Sequence, residues 1–115
     1  MKEHRKYLRL PFTSTVRIVS SNNIPLFATA ININRGGIGL YASSVIHEGT
    51  SVKMDITFKD IRGKEMTEMV KGKIIFNYKW HWIYVIGIAF DQLLNHEETP
   101  YLFEYIENCE TMIHL

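Results

Sequence analysis

The chain has a single cysteine, Cys109, in 115 residues. That excludes an internal disulfide and suits a reducing cytoplasm. No apolar run approaches the roughly 18 residues of a membrane helix, so no membrane insertion is expected. The N-terminus is charged and has no apolar stretch, which argues against a secretory signal. No sign of charge dominates: 13 Lys and Arg against 12 Asp and Glu give +1 at pH 7. Nothing therefore pulls the chain as a whole toward nucleic acid. The five histidines, His4, His47, His81, His96 and His114, are scattered, with no short ligand pair, so no metal site is expected. There is no Gly-x-Ser-x-Gly, no Walker-type loop and no justifiable Ser/His/Asp set. The adjacent carboxylates Glu97 and Glu98 precede a helical pattern, where favouring the positive end of the helix is their expected role. The expectation is a protein that is not an enzyme and holds no cofactor.

What is present is an ordinary globular composition, 46% hydrophobic and 22% charged, in a length that predicts one domain over 1–115. Residues 1–11 are polar and basic and end in Leu10-Pro11, which favours an extended entry into the first strand. Phe12 to Ser20 alternates, with Phe12, Val16 and Ile18 on one face and Thr13, Thr15 and Arg17 on the other. Ser21 to Asn23 is a turn and Ile24 to Asn34 a second strand. Gly36-Gly37 permits a bulge or tight bend before a short strand, Ile38 to Ala42. Thr50 to Phe58 alternates most cleanly, with Val52, Met54, Ile56 and Phe58 inward. After a hairpin connection at Lys59 to Lys64, Glu65 to Asn77 places Val70, Gly72, Ile74 and Phe76 on one face. Gly72 suggests a bend there. Tyr78-Lys79 reads as a turn and Trp80 to Phe90 as the last strand. Core packing and cross-strand pairs are the expected use of Tyr78, Trp80, Trp82 and Tyr84, with Trp80 a candidate for exposure.

The period then changes to a helical one: Leu102, Ile106, Cys109 and Ile113 share a face with Phe103 beside them, and Pro100 fits a first turn. Six strands in hairpin order and one helix predict a mainly β protein: an antiparallel barrel over 12–91 with a C-terminal helix over 97–114.

Two polar stretches stand apart from this scaffold. In the basic run His4-Arg5-Lys6-Tyr7-Leu8-Arg9, two guanidinium groups lie four residues apart. In Asn32-Ile33-Asn34-Arg35-Gly36-Gly37, side-chain alternation puts Asn32 and Asn34 on one outer face with Ile33 pointing to the core. Arg35 then points away from Asn34. Arginine forks match phosphate oxygens and guanine edges. The asparagine amides offer both donors and acceptors, and they also suit turns that satisfy their own backbone.

Arg5-x-x-x-Arg9 followed by Asn32-x-Asn34-x-x-Gly37 resembles the signature of the PilZ domain, the bacterial receptor module for cyclic di-GMP. The second half departs from the family pattern at Asn34, where serine is usual. Leu10-Pro11-Phe12 and Gly87-Ile88-Ala89-Phe90 are also similar to the family, so the resemblance covers almost the whole chain. It implies a barrel with a terminal helix and a cytoplasmic receptor without chemistry of its own. Cyclic di-GMP would be bound by Arg5, Arg9, Asn32, Asn34 and Gly37, with His4 and Gly36 as further candidates. The arm 1–11 would order over the ligand, and an unidentified downstream protein would read the change. An arginine before the family motif is associated with a second stacked ligand. His4 stands there instead, so one ligand per chain is expected.

Other readings stay open. Asn34 motivates a PilZ-like interaction adaptor without ligand. The basic arm and the aromatics motivate a single-strand nucleic-acid-binding barrel, although nucleic acid is not the expected partner. A small hydrolase is the most distant.

Overall fold

The computed structural model describes residues 10–113; residues 1–9 and 114–115 and the side chain of Ile113 lie outside the described residues. The strands are β1 (Leu10–Val19), β2 (Pro25–Asn34), β3 (Gly37–Ala42), β4 (Ser51–Lys59), β5 (Glu65–Trp80) and β6 (Ile83–Phe90), followed by helix α1 (Pro100–Ile113). Every pairing is antiparallel, and the order β1-β2-β3-β6-β5-β4 closes into a barrel. The mainly β barrel with a C-terminal helix is the fold that the sequence predicts.

β1 and β4 keep the expected period of two. Phe12, Val16 and Ile18 are buried, as are Val52, Met54, Ile56 and Phe58. β2 and β5 do not keep one period from end to end. In β2, Ala30 pairs with Leu40 but Asn32 with Gly39, so Ile31 is an extra residue. This bulge lets Ala28 and Ala30 face the core on one side of it and Ile33 on the other. In β5, Ile74 pairs with Ile88 but Phe76 with Gly87, so Ile75 is extra. Phe76 is thereby turned to the outer face, not inward beside Val70 and Ile74 as its parity in the sequence suggests. Gly72 marks a close approach of strands: a Cβ there would lie 2.6 Å from the Ala89 carbonyl oxygen. The irregularity in β5 sits at Ile75, not at Gly72.

The β5–β6 turn also differs from expectation. Tyr78 and Lys79 are paired strand residues, and the two-residue turn is His81-Trp82, with Trp80 opposite Ile83. His81 takes a positive φ of 57°, a conformation that turn-forming Gly or Asn adopts more cheaply. Of the four aromatics around this turn, only Tyr84 packs against the core. Trp80 is exposed, as anticipated, and so are Tyr78 and Trp82.

The helix covers one end of the barrel. Leu102 and Ile106 are fully buried in the barrel core, and Phe103, Tyr105 and Cys109 pack against it. Tyr105 stands edge-on to Phe12 at 5.4 Å and to Phe58 at 6.4 Å. Burial, and then Cys109 one turn on, raises its pKa above the ordinary 10.0. The far end of the helix is tied down by Arg35, whose Nη2 lies 2.7 Å from Glu110 Oε1.

The start of the helix is held by a residue remote in sequence. Thr99 precedes it, but its hydroxyl is occupied with Asn95, accepting from the Asn95 N–H at 3.1 Å and donating to the Asn95 carbonyl at 3.2 Å. The free N–H groups of Tyr101 and Leu102 are taken by the carboxylate of Glu68 on β5, at 3.0 and 2.7 Å. Glu97 and Glu98 lie in the turns before the helix, where their own N–H groups donate to Asn95 Oδ1. The role that the sequence suggests for that pair thus falls to Glu68. Glu68→Ala should cost about 1–2 kcal/mol, as the loss of a capping residue does. Glu98→Ala should stay within about 0.5 kcal/mol of the parent. Urea unfolding of both variants checks this.

Candidate functional site

The bulge at Ile31 sets the site. Beyond it Asn32 and Asn34 stand half-buried on the outer face while Ile33 fills the core. Strand pairing then lays two rows across the sheet. Asn32 is followed by Gly39, Gly87 and Phe76; Asn34 is followed by Gly37, Ala89 and Lys73. The middle of both rows has almost no side chain. The taller groups at the edges lean over it. A Cβ on Gly39 would lie 2.9 Å from Asn32 Oδ1, and one on Gly87 would run into the Phe76 ring. The result is a recess of about 130 Å³ lined by Asn32, Asn34, Gly37, Gly39, Phe76 and Ala89, among others.

Its floor is backbone, one wall is amide and the opposite wall is aromatic. A flat ring could lie on the glycines with its edge toward the amides and a face or edge against Phe76. The volume is below the ~300–1,000 Å³ of typical small-molecule sites. These walls alone thus seat only part of a larger ligand.

Asn34 Oδ1 accepts from the Gly36 N–H at 2.8 Å, so the local turn reading of this residue holds for its oxygen. Its amide hydrogens remain as donors. Among the described residues, Asn32 makes no side-chain hydrogen bond within the protein. Neither Gly36 nor Gly37 has a positive φ. The need for glycine at 37 comes from crowding: a Cβ would sit 2.6 Å from the Ile88 carbonyl oxygen. Gly36 is roomier and ties the turn to β6, its carbonyl accepting from the Phe90 N–H at 2.8 Å. Arg35 turns away from the recess, as alternation suggests. It pairs with Glu110 and lies 4.9 Å over the Phe103 ring.

The structure therefore brings Asn32, Asn34, Gly36 and Gly37 together. Arg5, Arg9 and His4 lie outside the described residues. Sequence reasoning missed Gly39, Phe76, Gly87 and Ala89 as lining residues. Gly87 and Ala89 carried a usable signal: small residues alternating with the buried Ile86, Ile88 and Phe90. Phe76 carried none, because only the bulge turns it outward. No group of three or more His, Cys, Asp or Glu able to hold a metal occurs among the described residues.

The chain matches the family model described as the PilZ domain over residues 3–106. It belongs to the PilZ domain family. This is a family of cyclic di-GMP receptors whose members are generally ligand-binding or adaptor modules and not enzymes. No curated protein is a significant match. Three solved structures share the PilZ fold at low identity. The Bacillus subtilis inhibitor of motility (MotI/DgrA) is 16% identical with a TM-score of 0.68, over 96% of this chain and 53% of that one. This PilZ chain thus spans about half the length of MotI. The PilZ domain of CeSA from a cellulose-synthesizing bacterium is 16% identical with a TM-score of 0.57, over 90% and 98%. The PilZ domain of YcgR from Escherichia coli, solved with c-di-GMP, is 13% identical with a TM-score of 0.60, over 97% and 98%.

Proposed function

We propose that this PilZ domain is a cytoplasmic receptor for cyclic di-GMP that signals through a partner protein. The observation that carries the reading is the recess itself: Asn32 and Asn34 face Phe76 across a floor of Gly37, Gly39 and Gly87. In this reading one guanine lies on that floor. Asn34, with its oxygen held by Gly36, donates its amide hydrogens to guanine acceptors, and Asn32 supplies donor and acceptor together. Arg5 and Arg9 bring their forks to the phosphates and the exposed guanine edges. The recess is too small to enclose a dinucleotide, so the part of the basic arm ahead of β1, residues 1–9, completes the site by ordering over it; Leu10 and Pro11, which the sequence places in the arm, are already paired with Ile33 and Asn32. That ordering alters the surface a downstream protein meets.

Calorimetry with cyclic di-GMP tests the proposal on the full chain. The parent should bind. Arg9→Ala should lose about 1.5–3 kcal/mol, the range for a hydrogen bond to a charged group, which is roughly ten- to a hundredfold in affinity. Its melting temperature should be unchanged, because the residue precedes the buried strand. Equal binding by Arg9→Ala would show the assigned site to be wrong. A parent that binds no cyclic di-GMP would favour the ligand-free adaptor, the reading that Asn34 motivates.

A further inference from the structure

β5 outruns its neighbour. β4 accompanies it only from Lys59 opposite Glu65 to Ser51 opposite Lys73. The chain ahead of β4 adds a last backbone link at Ile74, whose N–H donates to Thr50 O at 3.0 Å and whose carbonyl accepts from Gly49 at 2.8 Å, and one side-chain link beyond it, where Asn77 Nδ2 donates to the Ile46 carbonyl at 2.9 Å. β6 follows β5 to the end, at Trp80 opposite Ile83. The backbone of residues 75–80 is therefore paired on one side only; among the described residues no strand meets its other edge, although the Asn77 side chain reaches the Ile46 carbonyl. Sheet edges are normally guarded by charge, proline or a bulge. Here the bulge lies at the root of the segment, at Ile75, and the five residues beyond it are regular. They hold no proline and one charge, Lys79. Their outer face is wholly aromatic: Phe76 and Tyr78 stack at 6.1 Å and 19°, and Trp80 is 55% exposed.

We propose that this edge pairs with the same edge of a second copy, antiparallel, with the twofold axis at Tyr78. Register selects both the occupant and the axis. Residues opposite one another in an antiparallel pair share a face, so a symmetric pairing must centre on one residue. Centred on Lys79, it sets two ammonium groups against each other. Centred on Asn77, it sets Trp80 against Ile74, which is buried and already bonded to Thr50 and Gly49. Centred on Tyr78, it sets Phe76 against Trp80 and Tyr78 against itself on the outer face, with Asn77 against Lys79 on the other. No like charges meet, and the two stacks join in one aromatic row.

Backbone geometry agrees. A two-residue hairpin makes Trp80 and Ile83 a hydrogen-bonded pair. By alternation the N–H and C=O groups of Tyr78 also face β6, while those of Asn77 and Lys79 face the open edge. In the Tyr78 register, Asn77 and Lys79 become the hydrogen-bonded pairs of the new ladder. One short edge buries little area, so the dimer is of the transient class.

The test is sedimentation of the full chain over a concentration series, followed by cross-linking. The parent should show a monomer–dimer equilibrium. Tyr78→Lys puts two ammonium groups across the axis and should weaken the dimer about tenfold or more. Trp82→Ser, in the turn and outside the row, should leave it intact. With Cys109→Ser in place, Tyr78→Cys should give a covalent dimer on oxidation. The two Cα atoms of a non-hydrogen-bonded pair are about 4.5 Å apart, within disulfide reach. Lys79→Cys in the same background should not cross-link, because its copies lie on a diagonal of about 7–8 Å. A parent that stays monomeric up to about 1 mM overturns the proposal. So does a dimer that withstands Tyr78→Lys, one that fails to cross-link through Tyr78→Cys, or one abolished by Trp82→Ser. Either of the first two dimer results would place the contact elsewhere. The last would place it at the hairpin tip.

Discussion

Ile106→Ala should unfold in urea at a much lower midpoint than the parent, with a loss of about 2–5 kcal/mol. Against a total of about 5–15 kcal/mol for a domain of this size, that is a large fraction. Ile106 is fully buried, one turn on from the fully buried Leu102. Its side chain is where the helix enters the barrel core, so truncation leaves a cavity between two elements, neither of which can easily close it. The Tyr105 ring of the helix packs on Phe12 and Phe58 of the barrel, and the Arg35–Glu110 pair fixes the last turns of α1. Those contacts restrain the helix from sinking to fill the gap. A single cooperative transition is expected for parent and variant, as for most small domains. A second transition in Ile106→Ala alone would show that the helix unfolds separately. A loss below about 1 kcal/mol would show that it is only loosely docked.

The helix illustrates what the sequence could and could not reveal. Its apolar stripe was readable because Leu102 and Ile106 obey a local period. Its N-terminal partner was not, because Glu68 is brought there by the barrel, from a position 33 residues before Tyr101. Strands behaved the same way. β1 and β4 keep an unbroken period of two and are legible from Phe12 and from Val52 onward, whereas Leu10, which the sequence assigns to the basic arm, begins β1 and is fully buried. β5 inserts Ile75, and an apolar residue on each side of a bulge leaves no polar marker to show where the parity changes. Parity in the sequence therefore points Phe76 to the core, although it forms a wall of the recess. β2 contains the same device at Ile31, yet Asn32 and Asn34 were placed correctly, because the polar residues themselves mark the new outer face. The turn at His81-Trp82 was hidden for a different reason: it uses none of the residues that usually announce a positive φ. The paired asparagines and the glycines after them were visible in the sequence. The rest of the recess is assembled across β3, β6 and β5, an adjacency that only the closed topology supplies.

The two glycines of the site should respond oppositely to one methyl group. Gly37→Ala should be destabilised by about 1–3 kcal/mol, the ordinary cost of overpacking. Its new Cβ would meet the Ile88 carbonyl oxygen at 2.6 Å. That oxygen belongs to a strand paired on both sides, with Ile88 opposite Ile38 on β3 and Ile74 on β5. Relief thus requires moving backbone in the middle of a closed sheet, and the floor of the recess moves with it. Gly36→Ala meets only Leu93 Cδ2 at 3.5 Å and Asn34 Oδ1 at 3.7 Å, both ordinary contacts. It has no positive φ to forbid a side chain, so it should be neutral or more stable by about 0.4–1 kcal/mol, through the loss of freedom in its unfolded chain. Thermal unfolding of the pair separates the two roles. A Gly37→Ala protein that melts with the parent would mean that β3 and β6 can part at no cost, and the rigid floor would have to be abandoned. If it melts lower, cyclic di-GMP titrations at a temperature where both variants are folded should show weakened binding in Gly37→Ala. Gly36→Ala should then stay closer to the parent, since the Asn34 Oδ1 to Gly36 N–H bond uses only backbone that alanine also possesses.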